Sequence, residues 1–233
     1  MRPRALPLLV ALLLCATAAV AVPAVDARAP PTPVCGVCDL DRTAPSGERV
    51  VAGESELTVT IHANGSTTWR ARADLAAGAD ALAANDSLRR AVAAEAARDG
   101  VAEPRDLSAR LDGETLVVDY RDPNATERHL GVTVFTPLTP ASPSTPFVVG
   151  GEGARYLAAD RLTVRGEPGW TVRGDAPERE SDTELVWSPR DAARDDAGRA
   201  PFDVDRDPVA VEAGAVLPGP RAWIARLLAG DGL

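Results

Sequence analysis

From Glu56 to Ala63 apolar and polar side chains alternate without a break, Leu57, Val59 and Ile61 at one parity and Thr58, Thr60 and His62 at the other. A period of two puts the first set on one face of an extended chain, so this segment predicts a half-buried strand. Asn64-Gly65 then marks a turn, and the residues beyond it fix its length. A two-residue Asn64-Gly65 turn would set Val59 opposite Arg70 and Leu57 opposite Arg72, with guanidinium groups against the apolar face. A three-residue Ala63-Asn64-Gly65 loop with Gly65 left-handed sets Val59 opposite Trp69 and Leu57 opposite Ala71. Only the longer loop gathers one apolar face.

A helix follows, with Asn85 or Asp86 as its cap, Leu88, Ala91 and Val92 on its buried stripe and Gly100 closing it. A second hairpin is expected around a two-residue Asp112-Gly113 turn, pairing Ala109 with Leu116 and Leu107 with Val118, with Tyr120 on the same face. Shorter strands are predicted at Val132 to Thr136, Arg161 to Arg165, Trp170 to Arg173 and Glu184 to Trp187. The fold class expected is α+β: an antiparallel sheet or sandwich built from hairpins, with one inserted helix and irregular Pro-rich flanks. Four divisions follow: a signal peptide at 1–21, a Pro-rich leader at 22–46, a strand-rich domain at 47–190 with a linker-like loop at 137–146, and an irregular acidic tail at 191–233. Within that tail Ala222 to Leu228 reads as a short amphipathic helix, too short to span a bilayer, that docks on the body or on a partner.

The formal net charge is -9 and the sequence contains no Lys, so every fixed cation is an Arg. An acidic surface of this kind stays soluble where salt shortens the Debye length to about 3 Å, and we read the chain as halophilic. A GC-rich genome would explain the missing Lys but not the surplus carboxylates. No sequence cluster of cations is available to neutralise phosphates, so no nucleic-acid partner is expected.

The N-terminus predicts export. Arg2 and Arg4 precede the apolar run Leu6 to Leu14, and Ala19-Val20-Ala21 is the expected cleavage triplet; an uncleaved anchor is the competing reading. The Asn usage agrees with that address. The chain has three Asn, and each opens a glycosylation sequon: Asn64-Gly65-Ser66, Asn85-Asp86-Ser87 and Asn124-Ala125-Thr126. Turn chemistry at Asn64 and capping at Asn85 would also account for those residues.

Reactive residues are few. Cys35-Gly36-Val37-Cys38 can be a small-loop disulfide, a redox couple or half of a zinc site. His62 and His129 have no evident Ser or Asp partner for a hydrolytic triad. Asp203, Asp205 and Asp207 open like a calcium loop, but Pro208 stands where the turn Gly belongs, so any metal binding there is weak. No cofactor is called for, and enzymatic activity is not the leading expectation.

Cys35-Gly36-Val37-Cys38, Val59 to Trp69, Val117-Val118-Asp119-Tyr120-Arg121-Asp122-Pro123 and Ala159 to Val164 together resemble a group of uncharacterised exported haloarchaeal proteins, over roughly residues 35–190. The resemblance implies an address outside the cytoplasm and no particular activity. The function expected is a glycosylated cell-surface or extracellular module that binds an envelope partner, with an envelope redox or metal protein acting through Cys35 and Cys38 as the alternative.

Overall fold

The computed structural model describes residues 30–44, 47–139, 154–174, 178–188, 200–202, 204 and 206–229. The signal peptide and residues 140–146 of the Pro-rich loop lie outside them. Strands β1 (Thr32–Pro33) and β2 (Asp41–Thr43) precede the long hairpin of β3 (Arg49–Ile61) and β4 (Thr67–Ala77). Two helices follow, α1 (Ala79–Ala84) and α2 (Asp86–Arg98), and then the hairpin of β5 (Arg105–Asp112) and β6 (Thr115–Asp122). Next come β7 (Thr126–His129), β8 (Val132–Phe135), β9 (Arg155–Leu157), β10 (Arg161–Gly166) and β11 (Trp170–Arg173). The last elements are β12 (Glu178–Ser181), β13 (Glu184–Trp187), β14 (Ala200–Pro201), β15 (Val209–Glu212) and α3 (Pro218–Ala229).

The parity argument for the first hairpin holds at every rung near the turn. Val59 faces Trp69, Leu57 faces Ala71 and Ile61 faces Thr67, with Gly65 left-handed at φ 84. The second hairpin corrects its expectation. Its two-residue loop is Gly113-Glu114, so Leu111 faces Leu116 and Ala109 faces Val118. Gly113, at φ 62, is the one left-handed residue of the loop and takes the first central position, as a type II′ turn requires. Sliding the partner by two residues leaves every side chain on its face, so alternation alone cannot detect the shift.

The main sheet runs β12-β13-β10-β3-β4-β6-β5, with β2 against the first part of β3. All its pairs are antiparallel except β3 with β10. Registered rows cross it: Leu185, Val164, Val59, Trp69 and Tyr120 form one, and Trp187, Leu162, Leu57, Ala71, Val118 and Ala109 the next. A second sheet, β11-β15-β8-β7, packs Val172, Ala210 and Phe135 onto this face and turns Val132, Val134, Val209 and Val211 the other way, under Ala222 and Ala225 of α3. The molecule is thus an α+β sandwich, with helix α2 inserted between the hairpins and α3 as an outer layer. The tail supplies α3, which contains the amphipathic helix expected at Ala222 to Leu228. It also supplies β15, where irregular chain is expected, because Val209 and Val211 alternate around Ala210 across a sheet with two covered faces.

Helix α2 starts as expected: Asn85 Oδ1 accepts the Leu88 amide at 3.0 Å. Its buried stripe is Val92, Ala93, Ala96 and Ala97, so Ala91 is exposed and Leu88 is only partly covered.

The leader is not separate from the body. β1 pairs with β9, β2 pairs with β3, and Val34, Cys35, Val37 and Leu40 are all in the main core. Arg42 also ion-pairs with Glu95 on α2 and with Asp99, the residue that caps its C-terminal end.

Trp69 is fully buried, stacks on Tyr120 at 5.9 Å and meets Phe135 of the second sheet at 5.6 Å. Trp69→Ala should cost about 3 kcal/mol or more in urea unfolding, as expected for an emptied aromatic site. Asn64→Gln loses the bonds of Asn64 Oδ1 with the Ser66 amide and hydroxyl, and should cost no more than about 1 kcal/mol, the net worth of a surface hydrogen bond. The reverse order of effects would mean that the two faces are assigned backwards.

Candidate functional site

Cys35 and Cys38 form a disulfide with Cα atoms 5.2 Å apart. Cys35 is fully buried and Cys38 is 6% exposed. The loop presses on the C-terminal end of α2: a Cβ at Gly36 would lie 2.1 Å from the Ala96 carbonyl oxygen and 2.8 Å from the Gly100 nitrogen, so only glycine fits. Exchange chemistry favours an accessible thiolate stabilised by positive charge or a helix N-terminus. Here the motif has burial and the negative end of a helix dipole against it. The geometry packs the loop onto the helix end, and closing a four-residue loop contributes about 2 kcal/mol.

The three sequon asparagines are all exposed. Two sequons meet at one edge, where the Thr126 hydroxyl donates to the Gly65 carbonyl. At the first, Asn64 is held by Ser66. At the second, the buried Asp122 accepts the amides of Glu103 and Asn124, each at 2.8 Å, and Asn124 Nδ2 donates to Glu103 at 3.1 Å. Asn85 stands apart at the N-terminus of α2. At Asn64 and Asn85 the amide oxygen accepts the hydrogen bonds, and none among the described residues uses the nitrogen, the atom a glycan would modify.

The outward face of the main sheet is polar. Arg165, Thr60, Thr68, Arg121 and Arg105 form one registered row, and Asp119 in the next row is clamped by Arg70 at 2.5 Å and Arg110 at 2.7 Å. Partial burial pushes the Asp119 carboxyl up, but the two guanidinium bonds outweigh it and hold it below the ordinary carboxylate range.

His62 does have fixed partners, which the strand pattern could not reveal. Its Nε2 lies 2.7 Å from Thr68 Oγ1 and its Nδ1 3.3 Å from Glu167 Oε2. This is the carboxylate, imidazole and hydroxyl order of a hydrolytic triad. Thr68, however, lies in an interior strand whose neighbours on both sides are paired, so its own backbone amide belongs to the ladder and not to an oxyanion hole. The arrangement orients a surface imidazole. His129 faces Glu127 at 3.2 Å on β7.

Of the three aspartates in the calcium-like run, Asp203 and Asp205 lie outside the described residues. Asp207 is buried, accepts the Thr139 hydroxyl, and through its carbonyl accepts Arg226 Nε at 2.8 Å. Among the described residues no three His, Cys, Asp or Glu side chains are grouped to hold a metal ion, and no helix is long and apolar enough to cross a membrane.

No family model, no characterised protein and no solved structure matches the chain.

Two outcomes test these environments. Added to the folded protein cleaved after Ala21, which has lost Cys15, dithiothreitol followed by an alkylating reagent should leave the mass unchanged, whereas in urea two alkyl groups should add. Asp119, with its folded pKa below the unfolded one, adds stability that is full above about pH 4 and is lost as pH falls through the lower folded value. The stability gap between the native protein and Asp119→Asn should therefore close as the pH of a urea-unfolding series is lowered through that range.

Proposed function

We propose that this is an exported, glycosylated module of the cell surface or extracellular space of a halophile, which binds an envelope partner and carries no catalytic centre. The exposure of every asparagine in the chain, each opening a sequon, carries the reading. An acidic chain of net charge -9 without Lys supports the saline setting. The sealed disulfide suits an oxidising compartment, where it closes the leader's loop in the form that packs into the core. The broad polar face of the main sheet, two of whose neighbouring sequons share one edge, offers the surface for a partner.

Peptide mass spectrometry of the protein recovered from the envelope and medium of a producing culture tests this. The expected result is a chain that begins after Ala21 and carries a glycan mass on at least one of Asn64, Asn85 and Asn124. Full-length, unmodified protein confined to the cytoplasm would refute it. Asn85→Asp keeps an oxygen to cap the Leu88 amide and should remove that glycan alone, whereas Asn85→Ala should cost a further 1 kcal/mol or so of stability.

A further inference from the structure

We infer that the outer layer of the sandwich is a self-association surface, with helix α3 packing against α3 of a second copy of this chain. Among the described residues six large apolar side chains are left exposed, and five belong to α3 or its approach: Val216, Leu217, Trp223, Leu227 and Leu228. The sixth, Leu130, caps the β7–β8 hairpin on which α3 lies. Trp223 is 58% exposed and Val216 72%.

The inner stripe of α3 is alanine, Ala222 and Ala225, which brings the helix close to the second sheet. The stripe facing away carries the bulk, Trp223 and Leu227. A helix apolar on both sides is a buried helix, so the fold as it stands lacks one layer. Two of these leucines also hold left-handed backbones, Leu130 at φ 53 and Leu217 at φ 53, at positions where glycine or asparagine would relieve strain. Neither side chain repays that cost by packing within one copy.

Area and charge select the occupant. Six side chains of this size at these exposures present several hundred Å² of apolar surface. That reaches or exceeds the largest patch on an ordinary monomer and approaches the roughly 800 Å² that each partner contributes to a stable dimer. The stretch 213–229 contains no carboxylate, in a chain of net charge -9, so α3 itself brings no acidic repulsion to a second copy. A two-fold axis across α3 runs the helices antiparallel, and the exposed Arg221 near the start of each then approaches the carbonyl end of the other, where a cation is favoured. Salt screens the remaining repulsion while leaving apolar burial intact, so association should strengthen with ionic strength.

Sedimentation equilibrium of the purified chain beginning after Ala21, which lacks Cys15, tests this across salt and protein concentration. The expected result is a dimer that tightens as salt rises, and dissociation at least about a hundredfold easier in Trp223→Glu/Leu227→Glu with the circular dichroism unchanged. Because that variant could loosen α3, Leu227→Cys provides a second measurement. Under oxidation it should cross-link to a covalent dimer, whereas Arg70→Cys on the outward sheet face should not. A monomer at all salt concentrations with no Leu227→Cys cross-link overturns the inference. So does a dimer unaffected by the glutamate pair, or a monomeric protein that uses this face to bind lipid vesicles.

Discussion

Trp69 is the point on which both sheets and the polar interior converge. Its ring stacks on Tyr120 within the main sheet and tilts against Phe135 of the second, so a single side chain sets the spacing of the sandwich there. Its indole nitrogen is equally constrained. Nε1 donates to Thr67 Oγ1 at 2.8 Å, and that hydroxyl donates onward to the Asp122 carbonyl at 3.1 Å. A buried donor left unpaired costs roughly 1–3 kcal/mol, so Thr67, although fully buried, is part of what makes the tryptophan tolerable. Burial also pushes the neighbouring Tyr120 hydroxyl well above its ordinary value, with the Asp122 charge adding to the shift, so the phenol stays neutral.

Asp122 extends this constraint to the surface. Its carboxylate gathers the amides of Glu103 and Asn124, which ties the exit from α2 to the turn after β6 and places the Asn124 sequon beside the first hairpin tip. The leader makes a comparable connection on the other flank. Gly36 and Gly100 let two backbones touch, the disulfide closes the loop, and Tyr156 donates to Asp39 at 2.6 Å. A sandwich with few aromatic residues thus gains rigidity from backbone contact and short polar links, where a richer core would use bulky side chains.

Sequence motifs that suggest chemistry acquire different meanings once packed. Cys-Gly-Val-Cys reads as a possible redox couple, yet its glycine is set by a helix carbonyl and its sulfurs are covered. His62 reads as an isolated surface histidine, yet it lies between Glu167, 105 residues away, and Thr68. Neither outcome is local information, because burial and long-range partners appear only when strands β3, β4 and β10 lie side by side.

Alternation and turn chemistry alone determined the first hairpin register, the faces of Leu57, Val59 and Trp69, the Asn85 cap and the positions of β11 and β13, since these depend on neighbours within a few residues. The α+β class followed from those elements. The sequence could not distinguish two registers of equal parity at Gly113, nor see that the Pro-rich leader and acidic tail enter the core, because their short strands are stabilised by distant partners and not by their own pattern. Tertiary structure alone decided which of the apolar helix residues 218–229 are covered: only a docked helix has an inside, and here the alanines took it and left the tryptophan and leucines facing water.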